Sequence, residues 1–178
     1  MKKKPPAHTL ALDLGTKTGY AIGSNKIIIE SGTWELATQK ELQAQRKSGT
    51  QREYDIRFDR LYAHIRQALK NYPIKHIAFE DVAFFTSTSQ TQLWTALRTV
   101  IWAIKYLHPS ITISAVPVGT LKKYATGNGR AEKADMRTAG ATKFSPTTIA
   151  GADDNQIDAL WLLEYSYNVK SNPANKKP

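Results

Sequence analysis

Apolar positions predict strands in the first part of the chain. The segment Leu10 to Ile22, LALDLGTKTGYAI, is an apolar run that turns at Gly15 and resumes as a second apolar run, which is typical of a β-hairpin. Residues 26–34, KIIIESGTW, are rich in β-branched side chains and predict a third strand. We expect the first strand to begin near His8 and the chain to open as an antiparallel meander.

Helix and strand patterns alternate after the meander. The polar segment 35–51 predicts an exposed or mobile connection. Apolar residues then recur every three or four positions from Arg52 to Tyr72, which predicts an amphipathic helix that Pro73 ends. Further strands are predicted at 76–80 and 111–116, and further helices at 93–107, 118–124, 131–144 and 153–167. This order predicts an α/β fold, a mixed five-stranded sheet with helices on both faces.

Length and composition narrow the possible classes of protein. The 178 residues fit one domain at 8–168, between a disordered basic segment at 1–7 and a basic tail at 169–178. The absence of cysteine excludes disulfides, thiolate metal sites and thiol nucleophiles. No apolar run resembles a signal-peptide core or reaches the length of a membrane span. We therefore expect a soluble, cytoplasmic protein.

The net charge points to a polyanionic partner. Lysine and arginine number 25 against 15 acidic residues, a formal excess of +10. Five lysines at the two chain ends account for half of that excess, and the other half lies within the expected domain. Terminal lysines alone would serve solubility. Basic charge within the domain favours nucleic acid as the partner.

Two predicted strands each contain an acid near their carboxyl end. Asp13 ends the first apolar run, and Glu80 ends the strand HIAFE. A buried carboxylate is costly unless it is paired or binds a cation. Asp13 has a second interpretation, as a residue that stabilises the turn through its own backbone. In a layered sheet, however, the two acids can lie side by side at one edge.

The last predicted helix contributes further acids from the sequence DDNQIDAL. Asp154 and Asp158 are four positions apart and therefore lie on the same helix face, about 40° apart around the axis. Asp153 is assigned to the helix N-cap. Asn155, three positions before Asp158, is the competing ligand.

Four converging carboxylates, Asp13, Glu80, Asp154 and Asp158, predict a divalent metal site. Carboxylates that gather without a cation repel one another and take up protons. Hard oxygen ligands without cysteine suit Mg²⁺, for which Mn²⁺ substitutes, and two such ions can stabilise both the attacking and the leaving oxygen of a phosphodiester. The alternative is that these are unrelated surface acids.

The polar loop 81–90 contains two adjacent aromatic residues, Phe84 and Phe85. Aromatic side chains in nucleic-acid sites stack on unpaired or distorted bases. The simpler interpretation is that the pair packs beneath the loop.

Four segments together resemble the RuvC-like Holliday-junction resolvases, which have the ribonuclease-H-like fold. LALDLGTKTGYAI resembles their opening motif, and IAFEDVAFF is similar to their second acidic strand with its aromatic loop. VPVGTLKKYATGNGRAEK resembles the segment with two functional lysines, and DDNQIDALWLL the closing acidic helix. The four motifs occur in the family's order between about Thr9 and Tyr165, which is more specific than any single motif. The polar insert near 39–51 has no clear counterpart.

The resemblance implies a Mg²⁺-dependent endonuclease that nicks branched DNA such as four-way junctions and acts as a homodimer. Asp13, Glu80 and Asp158 match the family's acids directly, and Lys122 and Lys133 match lysines expected near the scissile phosphate. Phe84 or Phe85 corresponds to the aromatic residue that wedges into the junction centre. The residues expected to contact DNA are Phe84, Phe85, Lys122, Lys123, Arg130, Lys133 and Arg137.

Two positions depart from the common family pattern. The paired ligand usually lies three residues before the last acid, where this chain has Asn155, so Asp154 is our candidate. The predicted helix 93–107 has Thr95 and Thr99 where glycines are usual at the dimer contact.

Three other functions fit parts of the sequence. Nucleases that process ribosomal RNA precursors share the opening Asp-x-Gly-Thr and the fold, but generally lack the lysine segment. Actin-like or sugar-kinase ATPases have a similar phosphate loop, but they need a second ATP-binding half for which this chain is too short. A non-catalytic junction-binding protein is the remaining alternative, and the retained acids argue against it.

Overall fold

The computed structural model describes residues 7–82 and 87–171, so Phe84, Phe85 and most of both predicted tails lie outside the described residues. The predicted mixed sheet is confirmed, with strand order β3-β2-β1-β4-β5. Strands β1, β2 and β3 form an antiparallel meander, and β4 and β5 continue the sheet in parallel with β1. The strands are β1 (His8–Asp13), β2 (Lys17–Ser24), β3 (Ile27–Glu35), β4 (Ile74–Asp81) and β5 (Thr112–Pro117).

Helices follow the meander and alternate with the last two strands. They are α1 (Gln39–Ser48), a 3-10 turn at Thr50–Arg52, α2 (Ile56–Asn71), α3 (Thr88–Leu107), α4 (Val118–Thr126), α5 (Lys133–Lys143), α6 (Pro146–Ile149) and α7 (Asp154–Ser171). Helices α2, α3, α4, α5 and α7 lie where the sequence predicts them. Among the described residues, every helix is too short or too polar to cross a membrane.

The segment 35–51 is mostly exposed, as expected, but it forms the helix α1, which the sequence analysis did not predict. The Thr38 hydroxyl accepts a hydrogen bond from the Glu41 N–H at 3.3 Å, and the Glu41 carboxylate accepts one from the Thr38 N–H at 2.8 Å. This reciprocal pair is a capping box, which satisfies free amides at the start of a helix. The threonine and the glutamate three positions later were the missed signal.

Two helical layers cover the sheet. Helices α2 and α3 lie on one face, where the buried side chains of the sheet are large. Helix α7, together with α4 and α5, covers the other face, where β1, β2 and β4 present the alanines Ala11, Ala21 and Ala78. The size of the buried side chains sets the distance between each helix and the sheet. It therefore also sets how closely an acid on a helix can approach an acid on a strand.

Candidate active site

Asp13 and Glu80 lie side by side at one edge of the sheet. Strands β1 and β4 are parallel, and Leu12 pairs with Phe79, so the next residues along the two strands are Asp13 and Glu80. Side chains alternate between the two faces of a strand. Both acids therefore share the face of Ala11 and Ala78, which α7 covers.

Asp158 reaches these two acids from α7. The helix packs directly across β1 and β2, and Gly19, the pairing partner of Asp13, allows the close approach. A Cβ atom added at Gly19 would lie 1.8 Å from the backbone oxygen of Asn155, closer than any side chain could fit. The small residue therefore lets the first turn of α7 sit directly beside Asp13.

The three acids are electrostatically coupled and hold protons at unusually high pH. Burial, followed by the charges of Glu80 and Asp158, raises the pKa of Asp13 well above its usual value. Burial and the Asp158 charge raise the pKa of Glu80 to about 7. The two side chains share a hydrogen bond, because two adjacent carboxylates cannot both ionise easily. Burial also raises the pKa of Asp158 to about 6.

Lys122 and Lys133 flank the acids. The charge of Lys122 acts on Glu80 and Asp158, and the charge of Lys133 acts on Asp13 and Asp158, in each case lowering the pKa of the acid. Lys122 lies on α4 and is half-buried, whereas Lys133 begins α5 and is exposed. The segment that carries both lysines thus borders the acid cluster.

The Asp154 carboxylate contacts two basic side chains. It accepts a hydrogen bond from the Arg137 guanidinium at 2.6 Å and lies 3.6 Å from the Lys133 ammonium. The Arg137 hydrogen bond holds the pKa of Asp154 below its usual value. Arg137 also donates to the backbone oxygen of Ala152 at 3.1 Å, which fixes it at the start of α7.

Asp153 and Asn155 also point to other partners. The Asp153 carboxylate accepts hydrogen bonds from the Gln156 N–H at 2.9 Å and from the Thr33 hydroxyl at 2.6 Å, which is the geometry of a helix cap. Burial would raise the pKa of Asp153, but these two hydrogen bonds outweigh it and the net shift is downward. Asn155 donates to Asp153 as well.

The chemistry of the three coupled acids suits a hard divalent cation. They are oxygen donors whose burial and mutual repulsion a positive ion would relieve. Within residues 7–82 and 87–171, however, no three acidic or imidazole side chains lie close enough together to form a finished metal-binding group. The chemistry of the three acids therefore suits a metal ion. In this structure, however, their side chains lie farther apart than they would around a bound ion.

Three more of the residues expected at DNA, Lys123, Arg130 and Arg137, are exposed. The expected aromatic wedge, Phe84 or Phe85, lies outside the described residues, so its position stays a prediction.

Sequence reasoning missed a buried ion pair that anchors the hairpin turn after Asp13. Arg57 donates from Nε to Asp55 at 2.9 Å and from its terminal nitrogen to the Thr16 hydroxyl at 3.1 Å. Both members of the pair are less than 10% exposed. The sequence gives no sign that Arg57 contacts the hairpin turn, because Thr16 lies 41 positions away.

The sheet, the helical layers and the acid edge define a ribonuclease-H-like fold of the RuvC type. A structure of T. thermophilus RuvC in complex with a Holliday junction substrate is similar with a TM-score of 0.70 at 14% identity, over 93% of this chain and 96% of that chain. A second Thermus thermophilus RuvC structure gives a TM-score of 0.64 at 15% identity, over 92% of this chain and 96% of that chain. The yeast mitochondrial Holliday junction resolvase Ydc2 gives 0.58 at 13% identity, over 96% and 83%.

At the level of sequence, no family model and no curated protein matches this chain. The similarity therefore lies in the fold, and the function has to be argued from the site.

Proposed function

We propose that this protein is a metal-dependent, structure-selective endodeoxyribonuclease that nicks branched DNA such as Holliday junctions. The observation that carries the proposal is the meeting of Asp13, Glu80 and Asp158, from three separate elements, at one sheet edge flanked by Lys122 and Lys133. The similar T. thermophilus RuvC structure contains a Holliday junction substrate, which supports branched DNA as the substrate class.

Asp13, Glu80 and Asp158 would hold the metal, with Asp154 as the fourth candidate ligand. Two Mg²⁺ ions, or Mn²⁺ in their place, would activate a water for attack on phosphorus and neutralise the leaving oxygen. Oxygen donors and the absence of cysteine favour these hard cations over zinc.

The chain's own residues contribute charge and proton control. Lys122 and Lys133 would bind the non-bridging oxygens of the scissile phosphate and stabilise the negative charge that develops on them. The proton between Asp13 and Glu80 has to leave before both carboxylates can act as charged ligands. The protein would recognise DNA shape and phosphates more than bases. A homodimer, as the resemblance implies, would place two such sites on one junction.

Substitution of Asp13 by asparagine tests the proposal. We expect D13N to lose junction nicking with Mg²⁺ by at least about 10³-fold, because a central charged ligand is removed. The same substitution should raise the melting temperature of the metal-free protein, since it removes a buried carboxyl from a repelling group. The readouts are strand-specific nicking of a labelled four-way junction and thermal unfolding.

The matched control is D59N, which neutralises an exposed acid on α2 and should leave nicking unchanged. Linear duplex and structured RNA serve as competing substrates. Equal nicking by D13N and the wild type contradicts the proposal. Preferred cleavage of RNA supports the RNA-processing alternative, and tight junction binding without cleavage supports a binding protein.

A further inference from the structure

Helix α1, which lies in the polar segment 39–51, contributes little to the hydrophobic core. Leu42 is its single buried residue among the ten from Gln39 to Ser48. A surface helix normally buries an apolar stripe to offset the entropy of ordering it. The apolar contacts of α1 therefore do not explain why the chain keeps this helix.

Hydrogen bonds and charges hold α1 in place instead. Glu41 pairs with Arg60 of α2 at 2.6 Å, and Arg60 also donates to the backbone oxygen of Leu36 at 3.1 Å. The Leu36 N–H in turn donates to the backbone oxygen of Thr16 at 2.8 Å. This chain of bonds links α1 to the hairpin turn that directly follows Asp13.

Three basic side chains of α1, Lys40, Arg46 and Lys47, are exposed. Within the described part of the chain, none of the three forms an ion pair. Lys40 lies in the first helical turn, where the helix dipole favours acids, so its charge does not serve the stability of the helix. These charges are free to meet an external anion.

A groove of about 760 Å³, lined by both polar and apolar side chains, adjoins this helix. It lies between α1, the start of α2 and the start of α3, and Arg46, Gln51, Ser89 and Gln92 are among its lining residues. Strands β1 and β4 both end at the sheet edge from which α2 and α3 begin. The groove therefore borders the same edge as Asp13 and Glu80, on the opposite face of the sheet from α7.

We propose that α1 and this groove form a second DNA-binding surface, which holds the phosphate backbone of a duplex arm as it leaves the acid site. The inference rests on the proposed nuclease function. The surface combines three unpaired cations, neutral hydrogen-bonding side chains and a rigid connection to the hairpin turn, which suits sequence-independent contacts with phosphates. It would act in binding and orientation, and the acid site alone would perform the cleavage.

The test is the triple variant K40Q/R46Q/K47Q, compared with R66Q/K70Q/K75Q. The control removes the same charge from exposed positions at the other end of α2 and the start of β4. For the first variant we expect about tenfold to hundredfold weaker junction binding and a fall of about 2 to 3 in the slope of log affinity against log salt, since each phosphate contact contributes about 0.9. The control should change both quantities much less.

Binding is measured by fluorescence anisotropy in Ca²⁺ across a salt series, and hydroxyl-radical footprinting locates the contact. A patch of backbone protection should disappear with the α1 variant while protection at the junction centre remains. Equal affinity and salt slope for the two triple variants would overturn the proposal. If the wild-type protein binds junctions but cuts no nucleic acid, the nuclease function fails while the surface still stands.

Discussion

The two faces of the sheet are built differently, and the difference locates the chemistry. On the α2 and α3 face the strands present large buried residues, Leu10, Leu12, Ile77 and Phe79, whereas on the α7 face β1, β2 and β4 present alanine and glycine. Large side chains keep a helix away from a sheet, and small ones allow it to approach. The α7 face is therefore where a helical acid can reach two strand acids.

This contrast separates residues that stabilise the fold from residues that position the site. The α2 and α3 face should respond to truncation mainly through stability. The α7 face should respond to added volume and to protonation, because the approach of α7 and the charges of the acids are finely matched there.

The largest expected effect is on stability at the α2 and α3 face. Leu97 of α3 is fully buried, and L97A should lower the free energy of unfolding by about 2 to 5 kcal/mol, because it leaves a cavity. Urea unfolding measures the loss. The stabilisation that saturating Mg²⁺ gives should be the same as in the wild type, and a smaller value would mean that this layer also shapes the acid site.

The next effect is a pH dependence at the α7 face. The pKa of Glu80 is raised from 4.5 to about 7, so between these values the folded state binds the proton more tightly than the unfolded state. The stability that Glu80 contributes to the metal-free protein should therefore fall as pH rises from about 5 to 8, by at most about 3 kcal/mol at 1.36 kcal/mol per pKa unit. Asp158, whose pKa is raised to about 6, adds to the fall in the same direction. Urea unfolding at several pH values measures it.

Glu80→Gln should flatten this profile, because it removes a group that titrates within this window and relieves the repulsion that raises the pKa of Asp13. Glu53→Gln, at an exposed position, is the matched control and should retain the wild-type slope. A metal-free wild-type protein whose stability rises over the same pH interval would contradict the burial of these acids.

A third effect tests the close approach of α7. Gly19→Ala places a Cβ against the Asn155 backbone and should cost about 1 to 3 kcal/mol of stability and reduce cleavage at least about tenfold, since α7 must shift away from Asp13. Gly32→Ala is the comparison variant on β3, because its Cβ would meet a side chain, the Tyr20 ring at 3.0 Å, and not the backbone of α7. Equal cleavage by the two variants would show that α7 need not lie so close.

The order of elements was predictable from the sequence because apolar periodicity decides it locally. The strand acids Asp13 and Glu80 could also be identified, since a carboxylate at the end of an apolar strand is unusual. Their adjacency required a parallel register, which the topology predicted. These parts of the site depend on patterns within short segments.

Other parts of the site depend on contacts that no local pattern encodes. The polar segment before α2 lacked an apolar stripe, and its capping box was the sole sign of α1. Arg137 pairs with Asp154 across two helices and 17 positions of sequence. Helical spacing alone could not show whether Asp154 faces a metal or this arginine. Helical periodicity gives the face on which an acid lies, but the neighbouring helix decides which partner it meets.

The smallest effect concerns Asp154, whose carboxylate is held by Arg137 while its charge still acts on Asp158. Arg137→Gln should cost less than about 1 kcal/mol of stability, because the ion pair is partly exposed. It should strengthen Mg²⁺ binding a few-fold in the absence of DNA, since it frees a carboxylate beside Asp158. Isothermal titration with Mg²⁺ measures the affinity, and R137Q/D154N, which lacks the freed carboxylate, should show no gain. An equal gain in both variants would mean that loss of the guanidinium charge, and not the freed carboxylate, strengthens Mg²⁺ binding. Unchanged Mg²⁺ affinity in R137Q would favour Asn155 as the fourth ligand.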